Sequence, residues 1–299
     1  VEPDSNFTIV SPYYLRNRGN HNNRRGPLLD ISVNPLKVAI NIPDSTSTDN
    51  SASTDAARRP RPVRGRATTT SAVTSTVGPT VTSVASCNGY SVEGPSPSAP
   101  ANLDRIDQQT NSLDGAYSYP SSSGSGVNVY IIDTGIYIAN QEFGGRAIWG
   151  STQCSGCQDK DDNGHGTNVA GIVGGTTYGV AKNSNLIAVK VCDRSGVCQN
   201  SDIISGLSWA AQQHTSGPNK NSVINLSLSG GTSSSLNDAV QQCINQGMHV
   251  VTAAGNSADD ACNYSPSSAP NCIAVGATDN SAAMASFSNY GTCVDIFAP

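Results

Sequence analysis

The run Val127-Asn128-Val129-Tyr130-Ile131-Ile132 passes directly into Asp133-Thr134-Gly135. Its apolar residues are nearly continuous and stop at a polar, glycine-bearing turn. That pattern suits a short strand covered on both faces rather than one with a wet side. Four later stretches read the same way: Leu186–Val191, Ser222–Leu228, Met248–Ala254 and Cys272–Gly276. Helical spacing lies between them. Ile203, Ile204, Leu207 and Ala211 share one face, with Gly217 shortly beyond; Leu236, Ala239, Val240, Cys243 and Ile244 share another, with Gly247 as the stop. Strand-helix alternation predicts an α/β fold built on a doubly wound parallel sheet. Ligands in such sheets sit beyond the carboxyl ends of strands. Three places qualify: Asp133, the Ser229-Gly230-Gly231 turn, and Gly255-Asn256.

The remainder of the chain sets limits on class. Its 299 residues carry a formal charge of −5, and charged residues are 13%, about half the usual share of roughly 25%. No apolar run approaches the roughly 18 residues of a membrane helix, and the acidic balance argues against nucleic acid as a partner. Composition shifts near residue 98. Residues 1–98 have net charge +3 and residues 99–299 net −8. Eighteen of the 42 residues from Ser45 to Ser86 are Ser or Thr, interrupted by Arg58-Arg59-Pro60-Arg61-Pro62 and Arg64-Gly65-Arg66. Such a segment cannot bury enough apolar surface to offset chain entropy. Residues 1–98 therefore read as a low-complexity pro-region or linker, and 99–299 as the folded domain. The arginine cluster reads either as a processing site or as solvated linker. Asn6-Phe7-Thr8 is a glycosylation acceptor pattern if the chain is secreted. The chain opens on Val1 without a signal-peptide pattern and stops inside the apolar segment Val294–Pro299, which reads as a fragment. Nine cysteines suit a secreted protein, and the odd number leaves at least one thiol free or paired outside the chain.

Chemistry concentrates at three motifs. Asp133 follows a buried strand, where a carboxylate can accept from a histidine ring and fix its tautomer. Alone it reads more readily as a turn cap. His165 stands in Asn163-Gly164-His165-Gly166-Thr167, where flanking glycines admit another backbone, and imidazole is a natural general base. His21, His214 and His249 lack such a setting. Asn256, in Ala253-Ala254-Gly255-Asn256-Ser257, can donate its amide to a developing oxyanion, although Gly-Asn by itself is only a turn signal. Asp159-Lys160-Asp161-Asp162-Asn163-Gly164 has EF-hand-like spacing, but the twelfth position is Ala170 instead of Glu.

Together these residues resemble the subtilisin-like serine proteases, closest to the proteinase K branch. The motifs are Ile131–Gly135, Asn163–Thr167, Leu226–Gly230 and Ala253–Asn256, with Tyr178–Lys182, Asn263–Pro266 and Phe287–Gly291, spanning residues 99–299. The resemblance implies a secreted, monomeric serine endopeptidase acting on protein or peptide substrates. Asp133 orients, His165 is the base and Asn256 donates to the oxyanion. Ser227, Leu228, Ser229, Gly230 and Gly231 line the specificity pocket, and Gly196, Val197 and Cys198 form the opposite edge, so that an extended peptide is gripped as an added strand. The carbonyls of Pro270 and Cys272, with Asp295, match a structural calcium site, and no cofactor is needed for catalysis. Cys262 and Cys293 match a bridge of the branch.

The sequence also departs from the family. The nucleophile normally lies on a Gly-Thr-Ser-Met-Ala segment after Phe297-Ala298-Pro299, and the sequence stops at Pro299. Gly231-Thr232-Ser233 is not that segment, since it precedes Asn256 and lacks Met-Ala. The inhibitory pro-domain usual in the family is not recognisable in residues 1–98. Asn168 stands where the family usually has His. Cys154 or Cys157 is expected to pair with Cys192 or Cys198, and Cys243 with Cys272. The competing readings are a non-catalytic homologue that binds peptides and a secreted structural protein whose Ser/Thr-rich stalk is the working part.

Overall fold

The computed structural model describes residues 4–10, 90–93, 99–279 and 281–299. In chain order the elements begin with β1 (Asn6–Ile9), β2 (Tyr90–Glu93), α1 (Ala101–Ile106), β3 (Tyr117–Pro120) and β4 (Asn128–Asp133). There follow β5 (Ala147–Thr152), α2 (His165–Gly174), β6 (Asn185–Lys190), β7 (Val197–Gln199) and α3 (Asn200–Ser216). The chain continues through β8 (Ser222–Leu226), β9 (Leu228–Gly231), α4 (Ser234–Asn245) and β10 (His249–Ala253), and ends with β11 (Tyr264–Ser265), β12 (Ile273–Ala277) and β13 (Ile296–Ala298).

Seven strands form a parallel sheet in the order β13-β12-β10-β8-β4-β6-β5. The doubly wound expectation holds. Alternation along β4 decides which face each residue serves. Tyr130 and Ile132 join Ile203, Leu207, Leu236 and Val240 of α3 and α4, while Val129 and Ile131 join Val169 and Ala170 of α2. The order reverses about β4, so its carboxyl end opens onto a crevice. The apolar run Ser222–Leu228 is not one strand. It breaks at Ser227 into β8, in the main sheet, and β9, which leaves it for a second sheet ordered β11-β9-β1-β7.

Among the described residues, two pieces of residues 1–98 are strands. Asn6–Ile9 lies in the second sheet, and Tyr90–Glu93 pairs antiparallel with Tyr117–Pro120, across the compositional break at residue 98. The Ser/Thr-rich stretch, the arginine cluster and Cys87 lie outside the described residues. Among the described residues, no helix is long and apolar enough to cross a membrane.

The disulfides correct two expectations and match one. Cys262 bonds Cys293 as the resemblance implied, but Cys154 bonds Cys157 and Cys192 bonds Cys198. Cys192 and Cys198 face each other across a bridge that closes the 193–197 turn, so each already has a local partner. Cys243 and Cys272 are free and buried, with thiols directed at different carbonyls: Leu207 for the first, Pro266 and Ser267 for the second. Burial pushes the Cys243 thiol up to about 11.

Leu207 is fully buried between α3 and the sheet. Leu207→Ala is expected to lower unfolding stability by about 2–5 kcal/mol, read as a shifted urea midpoint with an unchanged slope.

Candidate active site

β4 delivers Asp133 to the crevice with no solvent exposure. A buried carboxylate needs donors. Thr134 N donates to its Oδ1 at 2.7 Å, and His165 Nδ1 lies 2.8 Å from Oδ1 and 2.9 Å from Oδ2. The ring is 2% exposed. His165 opens α2, and its own N–H donates to Asn163 Oδ1 at 3.1 Å. The following glycine is compulsory: a Cβ on Gly166 would stand 2.1 Å from the Gly135 carbonyl oxygen. The close backbone approach expected from the flanking glycines is therefore real, and it brings the Asp133 turn against the first turn of α2.

Burial disfavours a charged His165 ring, but the charge of Asp133 and its hydrogen bond outweigh that, and the ring's pKa lies above its ordinary value. The carbonyl of Val10 adds to the rise by accepting from the ring.

Val10 reaches His165 because β1 fills the cleft. β1 pairs antiparallel with β7 on one side, Phe7 opposite Cys198 and Thr8 opposite Val197, and with β9 on the other, Thr8 opposite Ser229 and Ile9 opposite Leu228. Ile9 N donates to the Gly196 carbonyl at 3.2 Å, and Val10 N to the Ser227 carbonyl at 2.9 Å. Gly196–Cys198 and residues 227–230 of the two expected edges thus flank a strand of the chain itself, while Gly231 pairs with Tyr264 of β11. Phe7 is fully buried over Gly230, where an added Cβ would stand 2.3 Å from its ring. Alternation leaves Asn6 of the sequon exposed.

Asn256 sits half-buried after β10, beyond the same sheet edge. Its loop is held by Asn289, whose Nδ2 donates to the Ala254 carbonyl at 2.9 Å, while its Oδ1 accepts from Ser257 N at 2.8 Å. Asn289 is fully buried. Residue-by-residue reading passed over Asn289, although it stands in the Phe287–Gly291 motif. It also passed over Lys190, the one charge in an otherwise apolar strand. Lys190 is wholly buried and donates to the Thr134 carbonyl at 2.7 Å and to Asp162 Oδ1 at 2.9 Å. Phe7 and Val10 carried no signal beyond the sequon.

Pro270 and Asp295 are exposed, and Cys272 is buried nearby at the start of β12. Asp295 Oδ2 accepts from Ala274 N at 2.8 Å, which leaves Oδ1 and the two carbonyls as oxygen donors of a type that suits calcium. Among the described residues, no cluster of three or more His, Cys, Asp or Glu side chains could hold a metal. A cation here would depend on backbone carbonyls.

The sequence profile of the subtilase family matches residues 124–299. An extracellular serine proteinase of Thermus sp. is 52% identical over 198 residues, covering 66% of this chain and 47% of that protein. Subtilisin-like protease 2 of Pseudogymnoascus destructans is 51% identical over 184 residues, covering 62% and 45%. The crystal structure of a cold adapted subtilisin-like serine proteinase superposes with a TM-score of 0.64 at 48% identity, covering 68% of this chain and 72% of that one. The chain spans about half the length of the curated relatives it matches.

Because the His165 pKa is raised on folding, the contact with Asp133 stabilises the fold fully below the unfolded value of about 6.5. That contribution fades as pH rises through the folded value. Asp133→Asn is expected to remove this pH dependence, measured by urea unfolding of both proteins across the range. A proton NMR titration of the ring checks the direction of the shift. Gly230→Ala is expected to expel Phe7 and release β1, read as faster amide exchange at Thr8 and Ile9.

Proposed function

The chain belongs to the subtilase family, and from that premise we propose that the whole protein is a secreted serine endopeptidase. It acts as a monomer on protein or peptide substrates and needs no cofactor for catalysis. The nucleophile is a serine that follows Pro299 in the whole protein. His165 Nε2 takes the hydroxyl proton as the serine oxygen attacks the peptide carbonyl, and Asp133 holds the ring and steadies the imidazolium. The Asn256 amide donates to the oxyanion. The imidazolium then gives its proton to the leaving amine, and water repeats the sequence to release the acid.

The observation that carries this reading is the strand seated in the cleft beside the Asp133–His165 pair. β1 is extended and bonded on both edges, with Ile9 N donating to the Gly196 carbonyl and Val10 N to the Ser227 carbonyl. A substrate lying as β1 lies brings a peptide group beside the base. β1 also has to leave before another peptide enters, so residues 6–10 act as an internal occupant of the cleft, and residues 99–299 as the peptidase domain. A calcium ion held by the Pro270 and Cys272 carbonyls with Asp295 would tie β12 to β13 and serve stability alone.

A second reading, a non-catalytic homologue that holds peptides, draws on the same strand. β1 is seated by backbone hydrogen bonds and by the packing of Phe7 and Ile9, which require no chemistry.

Fluorophosphonate labelling of the whole protein separates the two. Labelling that disappears in His165→Ala supports the protease; a folded protein that is never labelled supports the binder. In the active protein, Asn256→Ala is expected to lower kcat by roughly 10²–10³ with little change in KM, from initial rates on a peptide substrate.

A further inference from the structure

One carboxylate serves both halves of the Asp133–His165 pair while touching neither. Asp161 lies in the loop between β5 and α2. Its Oδ1 accepts from Thr134 Oγ1 at 2.9 Å, Asn163 N at 3.1 Å and Gly164 N at 2.8 Å. Its Oδ2 accepts from Thr167 N at 3.0 Å and from Thr167 Oγ1 in a short hydrogen bond. Thr134 carries the connection onward. Its Oγ1 accepts from Gly166 N at 2.9 Å, and its N–H donates to Asp133 Oδ1 at 2.7 Å. A continuous path therefore runs from the Asp133 carboxylate through Thr134 to Asp161, and from Asp161 to the backbone on both sides of His165. The other side of the Thr134 turn is fixed by buried Lys190, through the Thr134 carbonyl and Asp162.

We propose that Asp161 is a positioning residue for this site, whose carboxylate fixes the Asp133 turn against the first turn of α2 and so sets how His165 Nδ1 meets Asp133. Its place suits the task electrostatically as well, since the N-terminus of a helix favours a negative charge. The acceptor capacity is what matters. An Asn at this position keeps one oxygen but turns an NH₂ group toward Thr167 N–H, so that a donor faces a donor. An Ala removes every acceptor that Asp161 offers to the N–H groups of Asn163, Gly164 and Thr167 and to the Thr134 and Thr167 hydroxyls. The other charged groups around the pair are Asp133 itself and the Lys190–Asp162 pair behind the turn, and none of these bonds to the N–H groups of Gly164 or Thr167. The effect on turnover rests on the protease reading; the geometric effect does not.

The test uses the 299-residue chain with Asp161→Ala, Asp161→Asn and, as control, Asp159→Ala. Asp159 accepts from Thr152 Oγ1 in the same loop, away from the pair. The readouts are solvent exchange of the His165 Nδ1 proton by NMR and global stability by urea. Exchange is expected to quicken about tenfold or more in Asp161→Ala, less in Asp161→Asn, and not in the control. In the whole protein, kcat is expected to fall by up to about 10²-fold, the scale of a small misplacement of catalytic groups, with KM within about twofold. If Asp161→Ala fails to fold, Asp161→Asn decides by the same measurement. Unchanged exchange in a folded Asp161 variant overturns the proposal, as does a loss confined to KM. If the exchange effect is present but the whole protein never reacts with fluorophosphonate, the positioning role stands and the protease reading falls.

Discussion

Asp133 is a carboxylate at the end of a central strand, fully buried, and it can stay charged there only if donors reach it. Two do: Thr134 N and His165 Nδ1. Much of the local architecture follows from that requirement. The turn after β4 has to bring Thr134 N back onto the preceding side chain. α2 has to begin close enough for its first side chain to reach the same oxygens, which is why residue 166 has no room for a Cβ beside the Gly135 carbonyl. Buried Lys190, paired with Asp162, and the Asp161 contacts hold these two pieces of backbone in place.

The sheet places that arrangement where a ligand can reach it. Alternating residues of β4 serve α2 on one face and α3 with α4 on the other, so the apolar run has no solvated side and its only polar residues fall at its ends. Reversal of strand order about β4 opens the crevice at its carboxyl end. The break at Ser227 then turns one continuous apolar run to two purposes. β8 stays in the core, and β9 leaves it with a free edge that another extended segment can pair with.

β1 uses that edge. Backbone hydrogen bonds to β7 and β9 seat any extended chain alike, so side-chain contacts fix which residues sit where: Phe7 over Gly230, Ile9 over Gly196, and the Asp4 carboxylate accepting from Ser201. With Phe7 in place, alternation turns Asn6 and Thr8 outward, and Val10 N donates to the Ser227 carbonyl. The cleft's geometry is in this sense recorded by its own chain.

The sequence by itself determined the layered α/β fold, because buried parallel strands require continuous apolar runs and the covering helices require their own periodicity. It also pointed to Asp133, His165 and Asn256, since each follows a strand or opens a helix in a polar, glycine-rich setting. Much of this was legible only through ordered motifs: Gly255-Asn256 alone is a turn signal, and Asp133 alone a cap. Tertiary structure decided what depends on distance between residues far apart in the chain. The local bonds Cys154–Cys157 and Cys192–Cys198 replaced the expected long-range pairing because the 193–197 turn brings its own two ends together. Cys243 and Cys272 stayed apart because their thiols point to different carbonyls. Four residues beginning at Asn6, inside a segment read as linker, became the central strand of the cleft. No local pattern marks such a strand, because its stability comes from the two edges it joins, and those edges exist only once the sheet has formed.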